Sequence, residues 1–518
     1  MSGNVYLTGF MGAGKSTAGR ALAESLGRRF VDMDEVLAEE MGRPIREVFE
    51  VKGEAFFRRR ESALLVKLAR RSLLVVATGG GLPGLGRNRD VMSRSGRIVY
   101  LSAELETCRR RLGPEEIANR PMWRDEARLT TLFDERRGLY RECDQKVPVD
   151  GLKPSEIVNR ILEQLAPEER FTVRLGEDAC PVEATLRAPI RLPEMIDGRR
   201  AALVTDSHVA ELHLERYGPC LKNATRIILR PGERTKTLDG ARRVYEALMA
   251  ARFNRDDLLI ALGGGVMTDL GAFVAATYKR GMPFLLVSTS LLGCVDAAVG
   301  GKAGVNLGQA KNAVGCFTIP EGVILDAAAF RTLGRPAVRD GLVEAYKTGL
   351  VAAPELAGLI ESNAGPLLAG DTASLLRVAA SSARAKGDVV ARDFREGGWR
   401  GILNFGHTFG HAVEGWGQYR VSHGRAVAQG MILALALSRD RGLLDRGNHD
   451  RMSETVRRIM PGRVEWPPLE EAWEIMSHDK KVRQGRLVFA LLEGPGRPVL
   501  VNDVTRDELC RAVASVEV

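Results

Sequence analysis

Gly9-Phe10-Met11-Gly12-Ala13-Gly14-Lys15-Ser16 fits the pattern G-x-x-x-x-G-K-[ST], and it falls between an apolar run over 5–8 and a helical pattern over 17–26. Backbone N–H groups can surround phosphate oxygens only where glycines remove side-chain bulk, and a helix starting there adds partial positive charge. Gly12, Ala13, Gly14, Lys15, Ser16 and Thr17 are therefore the expected cradle for ATP. Lys15 is placed to reach the β- and γ-phosphates, and the Ser16 hydroxyl is placed to ligate Mg²⁺. A strand–loop–helix unit of this kind needs a parallel sheet around it.

The surrounding pattern agrees. Apolar runs at 73–77 and 98–101 predict buried strands with helices between them, a doubly wound parallel α/β layer. A helix over 154–165 runs into Ala166-Pro167-Glu168-Glu169-Arg170, a short charged segment with a proline, which marks a boundary and a first domain over 1–168. Runs at 201–205 and 258–262 then predict strands of an α/β nucleotide-binding half over 169–329. From about 330 onward the pattern is helix after helix, with one late strand signal at 487–492. That predicts a mostly helical, metal-binding half over 330–518.

Charge and cysteines narrow the partners. The net charge of +9 is spread along the chain rather than gathered in a basic arm, and aromatics make up 6%. That distribution speaks against nucleic acid and for small anionic substrates. No apolar run approaches the roughly 18 residues of a membrane span. The run over 5–10 leads straight into the glycine loop, so no secretory leader is expected and a cytoplasmic location is. Seven scattered cysteines without a CxxC pair indicate neither a disulfide framework nor a cysteine zinc site. A homo-oligomer is left open.

Three clusters bear on what the first site phosphorylates. Asp32 and Asp34 alternate at strand spacing, which predicts that both point to one face, one carboxylate for Mg²⁺ and the other for a substrate hydroxyl. The segment from Gly53 to Glu61 supplies Arg58 on a helix, and Thr78-Gly79-Gly80-Gly81 follows a strand. In this order and spacing they resemble shikimate kinase over about residues 2–165. The resemblance implies that Asp34, Arg58, Gly79, Gly80, Gly81 and Arg136 hold shikimate, with the two arginines on its carboxylate. It also implies a lid at Asn119-Arg120-Pro121, with Arg120 closing on the phosphates. Lys15, Arg120 and Asp34 would be the catalytic residues, Asp34 orienting or deprotonating the acceptor. Gly138 stands where that family usually has proline.

In the second half, Gly263-Gly264-Gly265-Val266 follows a predicted strand, as a pyrophosphate requires. His407 and His411 are four apart and share a helix face, and His423 lies close behind. With Glu344, two imidazoles and a carboxylate would leave a coordination position free, as a catalytic Zn²⁺ site needs. Arginine far outnumbers lysine in this chain, yet Lys302, Lys311, Lys347, Lys386, Lys480 and Lys481 gather around these motifs. That density suggests a substrate bearing phosphate and carboxylate.

Asp296 to Gly300-Gly301-Lys302, Lys311-Asn312, Gly341 to Lys347 and Leu403-Asn404-Phe405-Gly406-His407-Thr408 resemble 3-dehydroquinate synthase, and the similarity covers about residues 170–518. It implies Zn²⁺ or Co²⁺ on Glu344, His407 and His423, with His411 a nearby catalytic residue rather than a ligand. It implies NAD⁺ on Asp206, Glu233, Lys236, Gly264, Gly265, Val266, Asp269, Thr289, Ser290 and Thr332, with Lys311 a further cofactor position. It implies substrate on Arg280, Asp296, Lys302, Asn312, Lys347, Lys386, Arg400, Asn404 and Lys480, with Lys347 and Lys386 also catalytic. Ser288 replaces a usual proline and His208 a common asparagine, both on the NAD⁺ side. The implied reaction converts 3-deoxy-D-arabino-heptulosonate 7-phosphate to 3-dehydroquinate and phosphate. The rival reading is a metal-dependent NAD polyol dehydrogenase.

Overall fold

Five strands, β1 (Asn4–Thr8), β2 (Arg29–Asp32), β3 (Leu74–Ala77), β4 (Gly96–Ser102) and β5 (Gln145–Pro148), form a parallel sheet in the order β2-β3-β1-β4-β5. β1 and β3 are buried at every position, which is why they read as unbroken apolar runs rather than as alternating ones. Tyr6, Val31, Leu37, Phe57, Leu65 and Val76 share one core beneath this sheet's helices. Because all five strands run the same way, the segments after β1, β2 and β3 leave from one edge. Those segments are the glycine loop, Asp32 with Asp34, and Thr78 to Gly81. Ligands of open parallel sheets bind at that edge.

The computed structural model describes residues 3–112, 126–165, 168–308, 310–417, 421–462, 465–477, 482–483 and 486–517. They divide into two units, Met1–Pro167 with Asp371–Ala373, and Glu168–Gly370 with Ser374–Val518. Among the described residues, no helix is long and apolar enough to cross a membrane.

One expectation in the first unit fails. Asp34 is not on a strand: β2 stops at Asp32, and helix Met33–Met41 begins at once. The cause is Asp32 itself, whose carboxylate accepts from the backbone N–H of Asp34 at 3.0 Å and so caps the helix. Asp34 therefore reaches the site from a helix's first turn.

In the second unit, β6 (Glu169–Leu175), β7 (Asp178–Thr185), β8 (Ala201–Asp206), β9 (Thr225–Leu229), β10 (Leu258–Gly263) and β11 (Phe284–Ser288) belong to one sheet. β12 (Lys302–Leu307) and β13 (Ala310–Phe317) form a separate antiparallel hairpin, and β14 (Gly322–Asp326) returns to the sheet. The sheet order is β6-β7-β14-β11-β10-β8-β9, parallel except for the β6–β7 pair. Leu203, Ile260, Val287 and Ile324 centre its core. Again the glycine run at the end of β10, Asp206 at the end of β8 and Thr289 after β11 share one edge.

The C-terminal half is helical, as the pattern predicts. Helix Arg335–Ala352 carries Glu344, helix His407–Trp416 carries His407 and His411, and helix His423–Asp440 begins at His423. The late strand signal is one arm of a hairpin, β17 (Phe489–Gly494) with β18 (Arg497–Val501), preceded by the short pair β15 (Val482–Arg483) and β16 (Arg486–Leu487). β18 carries Arg, Pro and no fully buried position, so its pattern offers no strand period to read.

The two histidine helices cross at glycines. A Cβ on Gly430 would lie 2.0 Å from the Gly406 carbonyl oxygen and 2.8 Å from the Gly410 nitrogen. At the start of the second helix, a Cβ on Gly424 would lie 2.4 Å from Cα of Asp340, one turn before Glu344. Backbone contact at these points brings three separate helices within side-chain reach of one another.

Candidate functional site

In the first unit the glycine loop has the backbone its sequence predicts. Gly12 and Gly14 take φ 82° and 92°, and a Cβ on Gly12 would lie 2.6 Å from the Cys108 carbonyl oxygen. Helix Lys15–Leu26 starts without a side-chain cap, as an anion-binding N-terminus needs. The Lys15 ammonium lies over the loop, donating to the carbonyls of Gly9 at 2.9 Å and Phe10 at 3.0 Å. Ser16 Oγ donates to Asp32 Oδ2 at 2.6 Å, so the two residues expected on Mg²⁺ stand side by side. A hydroxyl and a carboxylate beside a phosphate cradle fit the oxygen-rich, partly hydrated environment that Mg²⁺ takes.

The acceptor side gathers around Gly79, Gly80 and Gly81. A Cβ on Gly79 would meet Glu61 Oε1 at 2.2 Å and Asp34 Oδ1 at 3.0 Å. One on Gly80 would meet the Arg136 guanidinium at 3.1 Å, and one on Gly81 would meet that of Arg58 at 2.4 Å. The bare backbone thus lies at the centre of two carboxylates and two guanidiniums. Arg58 is shared with Glu61 at 2.8 Å and Glu54 at 3.0 Å. Glu61 was not anticipated as a site residue. It is 1% exposed, and its Oε1 has no hydrogen-bond partner. Burial pushes its carboxyl up and Arg58 only partly offsets this, with Asp34 adding to the rise. Its place three residues after Arg58 on one helix face was the available signal.

Tyr140 donates its hydroxyl to the Gly80 carbonyl at 2.6 Å, and Phe10 meets Phe133 edge-on at 5.1 Å. Both contacts tie the Arg136 helix to the loops. That helix runs through Gly138 to Leu139, which a proline at 138 would oppose. Arg120 lies outside the described residues.

In the second unit, Glu344, His407 and His423 each offer one ligand atom, all within 4.8 Å of one another. Glu344 Oε1 is 3.5 Å from His407 Nε2 and 3.4 Å from His423 Nε2, while its Oε2 accepts from Lys347 at 2.6 Å. Glu344 is fully buried, and Oε1 has no hydrogen-bond partner of its own. An orphaned buried carboxylate oxygen facing two imidazole nitrogens is the donor set of a catalytic Zn²⁺ site, and Co²⁺ takes the same ligands. Burial opposes the charge on Glu344, yet Lys347 and the imidazoles hold its carboxyl well below the usual range. Burial also opposes charge on His423, but the neighbouring carboxylates of Glu344 and Glu414 push it up to about 10, so an entering cation displaces a proton. His411 lies beside His407, ring centroids 5.7 Å apart, and is not part of the triad.

A row of charge continues from the triad. Lys386 donates to Asp296 Oδ1 at 2.5 Å, and a Cβ on Gly300 would lie 2.8 Å from the Arg400 guanidinium and 3.6 Å from Lys386 Nζ. Lys347, Lys386 and Arg400 are all buried. Although partly desolvated, Asp296 is held well below the usual carboxylate range by Lys386 and Lys347. Lys302 pairs with Glu396 at 2.6 Å. Glu396, unnoticed in the sequence, has a left-handed φ of 60° that no motif announces. Asn312 is also left-handed, at φ 52°, and donates its backbone N–H to Asn306 at 2.8 Å. Asn404 ends the turn before the His407 helix.

Two expected residues stand apart. Arg280 is exposed, at φ 67°, and makes none of the described contacts with this row. Lys311, expected on NAD⁺, lies 3.9 Å from Glu414 on the metal side. Lys480 lies outside the described residues.

The dinucleotide positions line the edge after β10. Helix Gly265–Thr277, which holds Val266, starts without a side-chain cap, and a Cβ on its N-cap Gly264 would lie 3.1 Å from Ser290 Oγ. Thr289 N–H donates to the Gly263 carbonyl at 2.9 Å, closing the floor of the cradle. Asp206 caps the next helix through Val209 N–H at 2.9 Å, Lys236 pairs with Asp269 at 2.5 Å, and Glu233 accepts from Asn306 at 2.8 Å. Thr332 bonds His213 Nε2 at 3.0 Å. A glycine cradle at an uncapped helix N-terminus, with carboxylates at neighbouring strand ends, fits a dinucleotide.

The comparisons divide the chain in the same way. The family model for shikimate kinase matches residues 11–166. Those for the N-terminal and C-terminal parts of 3-dehydroquinate synthase match 226–340 and 341–482. The 3-dehydroquinate synthase of Rhizobium rhizogenes is 38% identical over 362 residues, covering 66% of this chain and 96% of that protein. That of Symbiobacterium thermophilum is 39% identical over 354 residues, again with 66% and 96% covered. Among solved structures, the 2-epi-5-epi-valiolone synthase of Streptomyces hygroscopicus, with NAD⁺ and Zn²⁺ bound, superposes with a TM-score of 0.61 at 28% identity, covering 66% of this chain and 98% of that one. A 2-deoxy-scyllo-inosose synthase at 22% identity and TM-score 0.61, covering 67% and 99%, shares the fold. Through its C-terminal two thirds the chain belongs to the 3-dehydroquinate synthase family, and it is a bifunctional shikimate-pathway enzyme that joins this synthase to an N-terminal shikimate kinase.

Proposed function

We propose that the kinase reaction runs between the glycine loop and Gly79–Gly81, and the synthase reaction beside the Glu344, His407 and His423 triad. In the kinase, Lys15 spreads the charge of the transferring γ-phosphoryl group, and Asp34 orients the shikimate hydroxyl or takes its proton. Arg58 and Arg136 supply guanidinium forks for the carboxylate, a use that an uncharged polyol would not have. Ser16 and Asp32 would hold Mg²⁺.

In the synthase, Glu344, His407 and His423 would hold Zn²⁺ or Co²⁺, while Gly264, Gly265, Val266, Asp206 and Asp269 would hold NAD⁺. We infer this pairing from the donor set, and the valiolone synthase with its NAD⁺ and Zn²⁺ supports it. The cation supplies polarisation of a substrate hydroxyl, and the dinucleotide supplies a reversible hydride acceptor. Lys347, Lys386, Arg400, Lys302 and Asn312 bind phosphate and carboxylate and hold the reacting carbons in place, and His411 is placed for proton transfer. The observation that carries this reading is the orphaned Glu344 oxygen between two imidazoles at the head of a buried row of Lys347, Lys386 and Arg400. A polyol dehydrogenase has no use for such a row. The substrates are small anions, and the free state of all seven cysteines supports a cytoplasmic setting.

The test is cofactor stoichiometry. Trace NAD⁺ should support complete conversion of excess heptulosonate phosphate, with one phosphate released per turnover and no build-up of NADH. A chelator should stop it. NADH accumulating one-to-one with substrate, without phosphate release, would overturn the synthase site in favour of the dehydrogenase.

A further inference from the structure

Each of the three residues facing the metal position is held from behind by a different group. Lys347 donates to the far oxygen of Glu344 at 2.6 Å, and His407 Nδ1 lies 3.4 Å from the Phe405 carbonyl. Behind His423 is Glu414, whose Oε1 lies 3.1 Å from Nδ1. Glu414 follows His407 by seven residues on helix His407–Trp416, two turns along the same face. One helix therefore offers a ligand with its first residue and braces a second ligand with its eighth. The Glu414 side chain is 8% exposed, so its carboxylate sits there at a desolvation cost that a surface position would not carry.

An imidazole can lend a lone pair to a cation from one nitrogen only when the proton resides on the other. The His423 ring is bracketed, with Nδ1 toward Glu414 and Nε2 toward Glu344 at 3.4 Å. We propose that Glu414 is a positioning residue for the metal, its carboxylate accepting the Nδ1–H of His423 so that Nε2 faces Glu344 and His407 as a lone-pair donor. This rests on the metal site inferred above. Lys311 of the β12–β13 hairpin lies 3.9 Å from the same Glu414 oxygen, so the brace also touches the hairpin that carries Lys302 and Asn312.

The competing account is purely structural: Glu414 pins its helix to the His423 helix and has no bearing on the cation. The two part in the full-length chain stripped of metal and titrated with Zn²⁺ or Co²⁺ against a competing chelator. Glu414→Gln keeps the size and removes the charge. It should weaken metal affinity about 10- to 100-fold, while the Co²⁺ absorption band at saturation keeps its three-ligand shape and the metal-free chain melts where the native one does. Native affinity within twofold, or a lowered metal-free melting midpoint with affinity unchanged, overturns the proposal. Should the variant fail to fold, ¹⁵N-histidine spectra of the zinc-loaded native chain decide. Nε2 metallated with Nδ1 protonated on His423 supports the brace, and metal on Nδ1 overturns it. If the native chain binds no stoichiometric metal, the metal site itself falls, and that outcome is distinct from the loss of Glu414's role alone.

Discussion

Lys15 rests on the carbonyls of Gly9 and Phe10, contacts that a triphosphate would replace with charged oxygens. Removing this ammonium withdraws a positive charge aimed at the transferring group, and Lys15→Ala should lower shikimate kinase turnover roughly 10²- to 10³-fold. Synthase turnover by the same preparation should be unchanged, and near-normal kinase activity would remove Lys15 from the mechanism. His423→Ala is the converse. It deletes one of the three proposed ligands, so bound metal per chain should fall toward zero together with synthase activity, while phosphorylation of shikimate continues. A variant that still carries a full complement of metal would show that His423 is not a ligand. Legibility at this scale followed chemistry. Lys15, Ser16, His407 and His423 stand out because their residue types are scarce or their spacing is specific. Glu61 and Glu414 do not, because a glutamate on an amphipathic helix is commonplace, and only burial without a full set of partners, or contact with a ligand's far side, sets it apart.

Whole elements were read well where burial is uniform and poorly where a side chain redirects the backbone. β1, β3 and β10 are buried throughout, so their apolar runs were unambiguous. The Asp32 cap, which turns a predicted strand into a helix start, depends on hydrogen bonds from the Asp34 and Glu35 N–H groups that strand spacing cannot report. The crossing of the two histidine helices was also invisible, since it needs Gly430 of one to touch the Gly406 and Gly410 backbone of the other. Gly430→Ala tests that crossing. A methyl group there cannot fit without separating the helices, a strain of about 1–3 kcal/mol or more. The expected result is a synthase half with a lower melting midpoint and weakened metal binding, measured by chelator competition, because His407 and His423 move apart. Native metal affinity in this variant would mean that the triad does not depend on the crossing.

At the scale of the whole molecule, two reactions share one chain without sharing a residue in any role assigned above. In the shikimate pathway neither reaction makes the other's immediate substrate, so the fusion does not imply a direct transfer. We propose that the two enzymes are separable, and the place to divide them follows from Glu168. Its carboxylate accepts from Thr185 at 2.9 Å and pairs with Arg187 at 2.9 Å, and both partners lie in the second unit. A cut after residue 168 would strip that carboxylate from β7's end, whereas a cut after residue 167 keeps it. Fragments 1–167 and 168–518 should each fold cooperatively, the first phosphorylating shikimate and the second releasing phosphate from the heptulosonate substrate, each within about threefold of the parent chain, since single domains with their own cores keep their local chemistry. Calorimetry on the intact chain should then resolve two transitions, and only the later fragment's transition should move when Zn²⁺ is added, because a ligand stabilises only the unit that binds it. Two inactive fragments from an active parent, or one shared transition that shifts as a whole with Zn²⁺, would show instead that the halves fold as one interdependent unit.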